Sequence, residues 1–73
     1  MKLNEFINTD GTLRAVSHVD HELISVNYYQ HNQLIATVEY PDKSIRWVTD
    51  CMENYVDGIL TVEMLQRQIK DSK

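Results

Sequence analysis

Ser44-Ile45-Arg46-Trp47-Val48-Thr49-Asp50-Cys51-Met52-Glu53-Asn54-Tyr55-Val56-Asp57-Gly58 is the stretch on which the fold turns. Ile45, Val48, Met52, Tyr55, Val56 and Ile59 recur at intervals of three, four, three, one and three residues. That is one apolar stripe of an amphipathic helix. Ser44 stands just before the stripe, where its hydroxyl can accept from an orphan N–H of the first turn. Gly58 follows the last turn and can adopt the left-handed conformation that ends a helix. Pro41 opposes a helix running in from the preceding residues. The reading is a helix over 44–57.

Working outward, a second helix is expected over 62–70. Thr61 is its N-cap candidate, and Leu60 and Leu65 are spaced to form a hydrophobic staple across that cap. Glu63 lies in the first turn and Arg67 and Lys70 in the last, all in keeping with the helix dipole. Val62, Leu65 and Ile69 form the apolar stripe.

Upstream, three strands are expected over 12–17, 22–29 and 33–40. The second is rich in β-branched and aromatic residues. Ile24, Val26 and Tyr28 lie on one of its faces and Leu23, Ser25, Asn27 and Tyr29 on the other. The third places Leu34, Ala36, Val38 and Tyr40 on one face, with Ile35, Thr37 and Glu39 opposed. A two-residue turn at His31-Asn32 would set Val26 against Thr37. A three-residue loop, Gln30-His31-Asn32, instead pairs Ile24 with Val38, Val26 with Ala36 and Tyr28 with Leu34. The second register keeps one face apolar and is the one expected. His18 to His21 read as the connection between the first two strands. Residues 1–11 read as a short helix or extended arm, because Leu3, Phe6 and Ile7 have helical spacing, or as a strand ending at the turn Asn8-Thr9-Asp10-Gly11. The arm would set Phe6 and Ile7 against the edge of the core. The expected fold is α+β: a three-stranded antiparallel sheet packed against a long helix and a short C-terminal helix, as a single domain over 1–73.

The 73 residues leave no room for two cores, and 42% hydrophobic with 25% charged is a globular balance. One cysteine excludes an internal disulfide and points to a reducing compartment. Met1 to Ile7 lack the apolar run of a signal peptide, and no segment has the length of a membrane span. A cytoplasmic protein without membrane association is expected. The net charge of −4 opposes non-specific nucleic-acid binding, which depends on lysine and arginine neutralising phosphates.

Chemistry-bearing constellations are sparse. His18, Asp20 and His21, with His31 beyond, come nearest to a zinc set, but they read as polar residues at two turns. Cys51 reads as a small hydrophobe beside the helical stripe, with no histidine paired to it. There is no phosphate-binding glycine loop and no nucleophile elbow. No enzyme activity, cofactor or metal is expected.

Two surfaces stand out instead. Asp50, Glu53 and Asp57, at intervals of three and four, form an acidic stripe on the long helix. No lysine follows one turn later to relieve the repulsion. Such a stripe could dock a basic protein, including one whose basic groove normally holds nucleic acid. Leu23, Tyr29 and Ile35, on the outer sheet face, make a second candidate patch for a partner or a homodimer. Trp47, off the main stripe, caps the core edge or anchors a partner. Tyr28-Tyr29 suggest base stacking, but only Arg14 is near as a base. The expected function is a protein-binding module, an inhibitor or adaptor. The alternative is a small nucleic-acid-binding regulator using Arg67, Lys70 and Lys73; as a reader helix, 62–70 lacks leading basic residues. In size and charge the chain resembles the accessory proteins with which bacteriophages and mobile elements block host machines, such as anti-CRISPR and anti-restriction proteins. That likeness implies a host protein as partner.

Overall fold

The computed structural model describes residues 1–71, and within them the side chains of residues 1–67. The expectations for Ile69, Lys70 and Lys73 therefore lie outside the described residues. The elements are β1 (Lys2–Ile7), β2 (Leu13–Asp20), β3 (Leu23–Gln30), β4 (Gln33–Tyr40), α1 (Ile45–Val56) and α2 (Val62–Asp71). The sheet is an antiparallel meander in the order β1-β2-β3-β4.

The first correction is the strand count, four rather than three. Leu3 and Phe6 are three residues apart, a spacing that puts them on opposite faces of a regular strand. The pairing steps from Lys2↔His18 to Asn4↔Ser17, so Leu3 is the extra residue of a β-bulge. The bulge brings both Leu3 and Phe6 onto the core. Ser17 completes it, because its Oγ accepts from the Asn4 N–H at 3.0 Å. Asn8-Thr9-Asp10-Gly11 forms the turn, with the Gly11 N–H donating to the Asn8 carbonyl at 3.1 Å and Gly11 at φ +75. Glycine reaches that conformation at little cost.

β2 runs to Asp20, beyond the expected end at 17, and only His21-Glu22 connect it to β3. Those two residues, and His31-Asn32 in the next hairpin, all have positive φ, the type I′ geometry of two-residue hairpins. The expected β3–β4 register is corrected by two residues: Ile24 pairs with Tyr40, Val26 with Val38 and Tyr28 with Ala36. Near the turn Tyr29 pairs with Leu34, so Ile35 is extra. That bulge lets a two-residue turn coexist with an unbroken apolar face. It also turns Ile35 toward the core and leaves Leu34 55% exposed.

α1 starts and stops as its sequence implies. Ser44 Oγ accepts from the Trp47 N–H at 3.1 Å. At the other end the Gly58 N–H donates to the Tyr55 carbonyl and the Ile59 N–H to the Asn54 carbonyl, with Gly58 at φ +82, a Schellman motif. Thr61 Oγ1 accepts from the Met64 N–H at 3.3 Å and caps α2.

Both helices cover one face of the sheet. α1 lies against β1, β2 and β3, and α2 along β4. Val48, Met52, Tyr55 and Leu65 are buried against Ala15, Val26, Tyr28, Ala36 and Val38. Each large side chain among them contributes about 1.5–3 kcal/mol before entropy is counted. The ends of the expected stripe do not join in: Ile45 is 55% and Ile59 64% exposed. The buried hydroxyls find partners. Tyr28 and Tyr40 share a hydrogen bond of 2.8 Å, and Tyr55 donates to the Tyr29 carbonyl at 2.9 Å. Burial pushes the Tyr40 phenol up to about 12. Among the described residues no helix is long and apolar enough to cross a membrane.

Candidate functional site

Meander pairing and strand alternation place the outer-face residues in rows across the sheet. One row is Ile7, Arg14, Tyr29 and Leu34; the next is Glu5, Val16, Asn27 and Thr37; a third is Lys2, His18, Ser25 and Glu39. The Arg14 guanidinium lies 4.3 Å from the Tyr29 ring centroid and reaches Glu5 at 3.5 Å. Lys2 also pairs with Glu5, and that hydrogen bond is the main reason the Glu5 carboxyl is held below its usual value. The outer face is therefore a mixed polar surface with exposed Ile7 and Leu34 at one end.

The expected patch Leu23, Tyr29 and Ile35 is not brought together. Leu23 and Tyr29 share the outer face but sit six residues apart on β3, roughly 20 Å along the strand, with Ser25 and Asn27 between. Ile35 packs on the core. Leu34 takes the place expected of it beside Tyr29, a swap made by the bulge. Tyr28 is wholly buried, which removes the Tyr28-Tyr29 stacking platform.

The acidic stripe is brought together. Val48, Met52 and Tyr55 point α1 at the sheet, so its solvent crest carries Arg46, Asp50, Glu53 and Asp57, all exposed. Among the described residues no ion pair holds Asp50, Glu53 or Asp57. On α2 the contrast is direct: Glu63 and Arg67, one turn apart, stand 3.7 Å from each other. Trp47 sits at the core edge. It is 41% exposed, edge-on to Tyr40 at 5.7 Å between centroids, with the Lys43 ammonium 4.6 Å from its ring.

One feature escaped the sequence. A groove of about 600 Å³ runs between the Asn8–Gly11 turn and the carboxyl end of α1, lined by Ile7, Asn8, Thr9, Asp10, Val56 and Asp57. It joins the last acid of the crest to Asp10, whose Oδ1 accepts from the Thr12 hydroxyl at 2.7 Å and the Thr12 N–H at 3.0 Å. Those bonds hold the Asp10 carboxyl below its usual value. No local signal pairs residues 7–10 with residues 56–57.

Reactive groups are dispersed. Burial, and then the neighbouring Asp50 charge, push the Cys51 thiol up, away from a nucleophilic thiolate. His18 lies on the outer face, across the sheet from Cys51, and His21 and His31 occupy hairpin turns at opposite ends of the sheet. Among the described residues no three His, Cys, Asp or Glu side chains gather to hold a metal ion. The chain matches no family model, no curated protein and no solved structure, so the reading of its function rests on this geometry.

Proposed function

We propose that the chain is a non-enzymatic protein-binding module, an inhibitor or adaptor, that meets a basic surface of its partner with the crest of α1. One observation carries this reading: the crest charges oppose the stability of their own helix. Asp50, Glu53 and Asp57 repel one another at helical spacing, and Glu53 and Asp57 sit at the negative end of the dipole. Arg46 occupies the first turn, where an acid would be favoured. Together these placements cost about 1 kcal/mol, and α2 shows the stabilising arrangement. A charge pattern that helix stability disfavours is explained by an external partner. Complementary charge speeds such encounters and rejects wrong partners. A host protein with a basic nucleic-acid groove, the target class of phage-type blockers, has the required surface.

The test is capture from a host extract with nuclease present, using the wild type beside the Asp50→Lys, Glu53→Lys, Asp57→Lys variant. A partner held by the wild type and lost from the variant, at unchanged circular dichroism, is expected. The same partner on both baits would remove the crest from the interface. Capture that disappears with nuclease would favour the nucleic-acid regulator, whose described base Arg67 is already engaged by Glu63.

A further inference from the structure

We propose that the free edge of β4 takes up an extended segment of a partner protein, added antiparallel as a fifth strand beside Thr37 and Glu39. This goes beyond the crest of α1 and does not rest on it. The two-residue turn His21-Glu22 closes on the pair Asp20↔Leu23, and such a closing pair exchanges both of its backbone hydrogen bonds. From there alternate residues of β3, among them Ser25 and Asn27, bond to β2. That leaves Val26 and Tyr28 to bond β4 through Val38 and Ala36. The N–H and C=O of Thr37 and Glu39 then point to the open side, and among the described residues no further backbone hydrogen bond reaches them. The Thr37 hydroxyl donates to Asn27 Oδ1 at 2.8 Å, which holds that side chain on the outer face and clear of the edge. β1, the opposite edge, is guarded: a bulge at Leu3 breaks its row, and the charges of Lys2 and Glu5 stand on it. β4 is regular from Ala36 to Glu39, beyond its own bulge at Ile35, and carries no lysine.

The occupant follows from what flanks the edge. α2 lies along β4. Joining the β4 edges of two copies would set two α2 helices over adjoining strands, about 5 Å apart, where packed helices need about 8–10 Å. A lone extended segment brings no helix. Its side chains opposite Thr37 and Glu39 fall on the outer face, and those opposite Val38 and Ala36 fall on the helix side, next to α2. The matching segment alternates apolar with polar residues and sets a base opposite Glu39, which is exposed and in no ion pair among the described residues. Main-chain bonds hold such a strand, and alternate side chains select it.

The experiment is amide hydrogen exchange on the isotopically labelled full chain, alone and with a blocked Val-Lys-Val-Thr-Val peptide. In the free chain the Thr37 and Glu39 amides should exchange fast beside those of Ala36 and Val38. Saturating peptide should slow both by about tenfold or more, as newly paired strand amides do. The same peptide N-methylated at its lysine and threonine lacks the N–H groups that face β4 and should give no protection. Glu39→Lys, at an exposed position, should weaken the peptide about two- to fivefold and favour its counterpart with glutamate in place of lysine. Protection that survives N-methylation, or no protection at all, would overturn the proposal. So would slow exchange of Thr37 and Glu39 without peptide that strengthens with protein concentration, which would give the edge to a second copy. Each of these failures leaves the crest of α1 to its own test.

Discussion

The two helices carry their charges in opposite senses. α2 opens with Glu63 and answers it one turn later with Arg67. α1 has no acid in its first turn and no base in its last, and its crest runs from Arg46 into three unrelieved acids. Both helices are amphipathic and both bury an apolar face on the same sheet. The difference lies wholly on the solvent side. Burial sets which way a helix faces, and charge pattern sets whether its outer face supports or opposes the helix. On α2 the charges serve the helix. On α1 they work against it, which turns attention to what lies beyond the molecule.

The largest effects should fail to distinguish the helices, because both depend on packing. Met52→Ala and Leu65→Ala each remove a fully buried side chain and should each cost about 2–5 kcal/mol in urea unfolding. A much smaller loss at Leu65 would mean that α2 docks loosely, and the comparison would break. Next comes the joint between the helices. Gly58→Ala forces a side chain into a left-handed backbone at φ +82 and should cost about 1–2 kcal/mol.

The charge substitutions come last in size and carry the contrast. Glu53→Gln with Asp57→Asn should stabilise the fold by about 0.5–1 kcal/mol at low salt, raising the melting temperature by a few degrees. The same change should weaken capture of the partner. Added salt should shrink the stability gain, since these groups are exposed and screened. Glu63→Gln on α2 should do the reverse, destabilising by about 0.3–0.5 kcal/mol and leaving partner capture intact. If both substitutions shift the melting temperature in one direction, the distinction between the two solvent faces is lost.

Errors in the sequence reading cluster where a strand departs from strict alternation. Leu3 and Phe6 have helical spacing, and only a bulge makes them neighbours on one face of a strand. Ile35 is the extra residue that lets His31-Asn32 make a tight turn without moving the apolar face of β4 outward. Binary patterning assumes one residue per step, so an extra residue makes it report the wrong face or the wrong element. The turn at His21-Glu22 is obscured for a related reason, and the two-residue turn at His31-Asn32, legible as an alternative, loses to the three-residue loop because the bulge at Ile35 has no signal in the sequence. His21-Glu22 and His31-Asn32 adopt positive φ without a glycine, the residue that usually announces it. Of the six candidate contact residues, Asp50, Glu53 and Asp57 come together because helical spacing is local. Leu23, Tyr29 and Ile35 do not, because their relation depends on the register and the bulge.

The sequence by itself determined α1, from the Ser44 cap to the Gly58 stop, with its buried side and its acidic crest. It also determined the start of α2 and the α+β class. These follow from interactions within a few residues along the chain, which spacing and capping chemistry encode directly. Tertiary structure alone decided that β1 joins the sheet, which register β4 takes, and that Ile35 faces inward while Leu34 faces out. It alone brought the Asn8–Gly11 turn to the end of α1, where Asp10 and Asp57 line one groove. Those outcomes depend on pairing between distant segments, where one bulge reverses a face and proximity has no local signature.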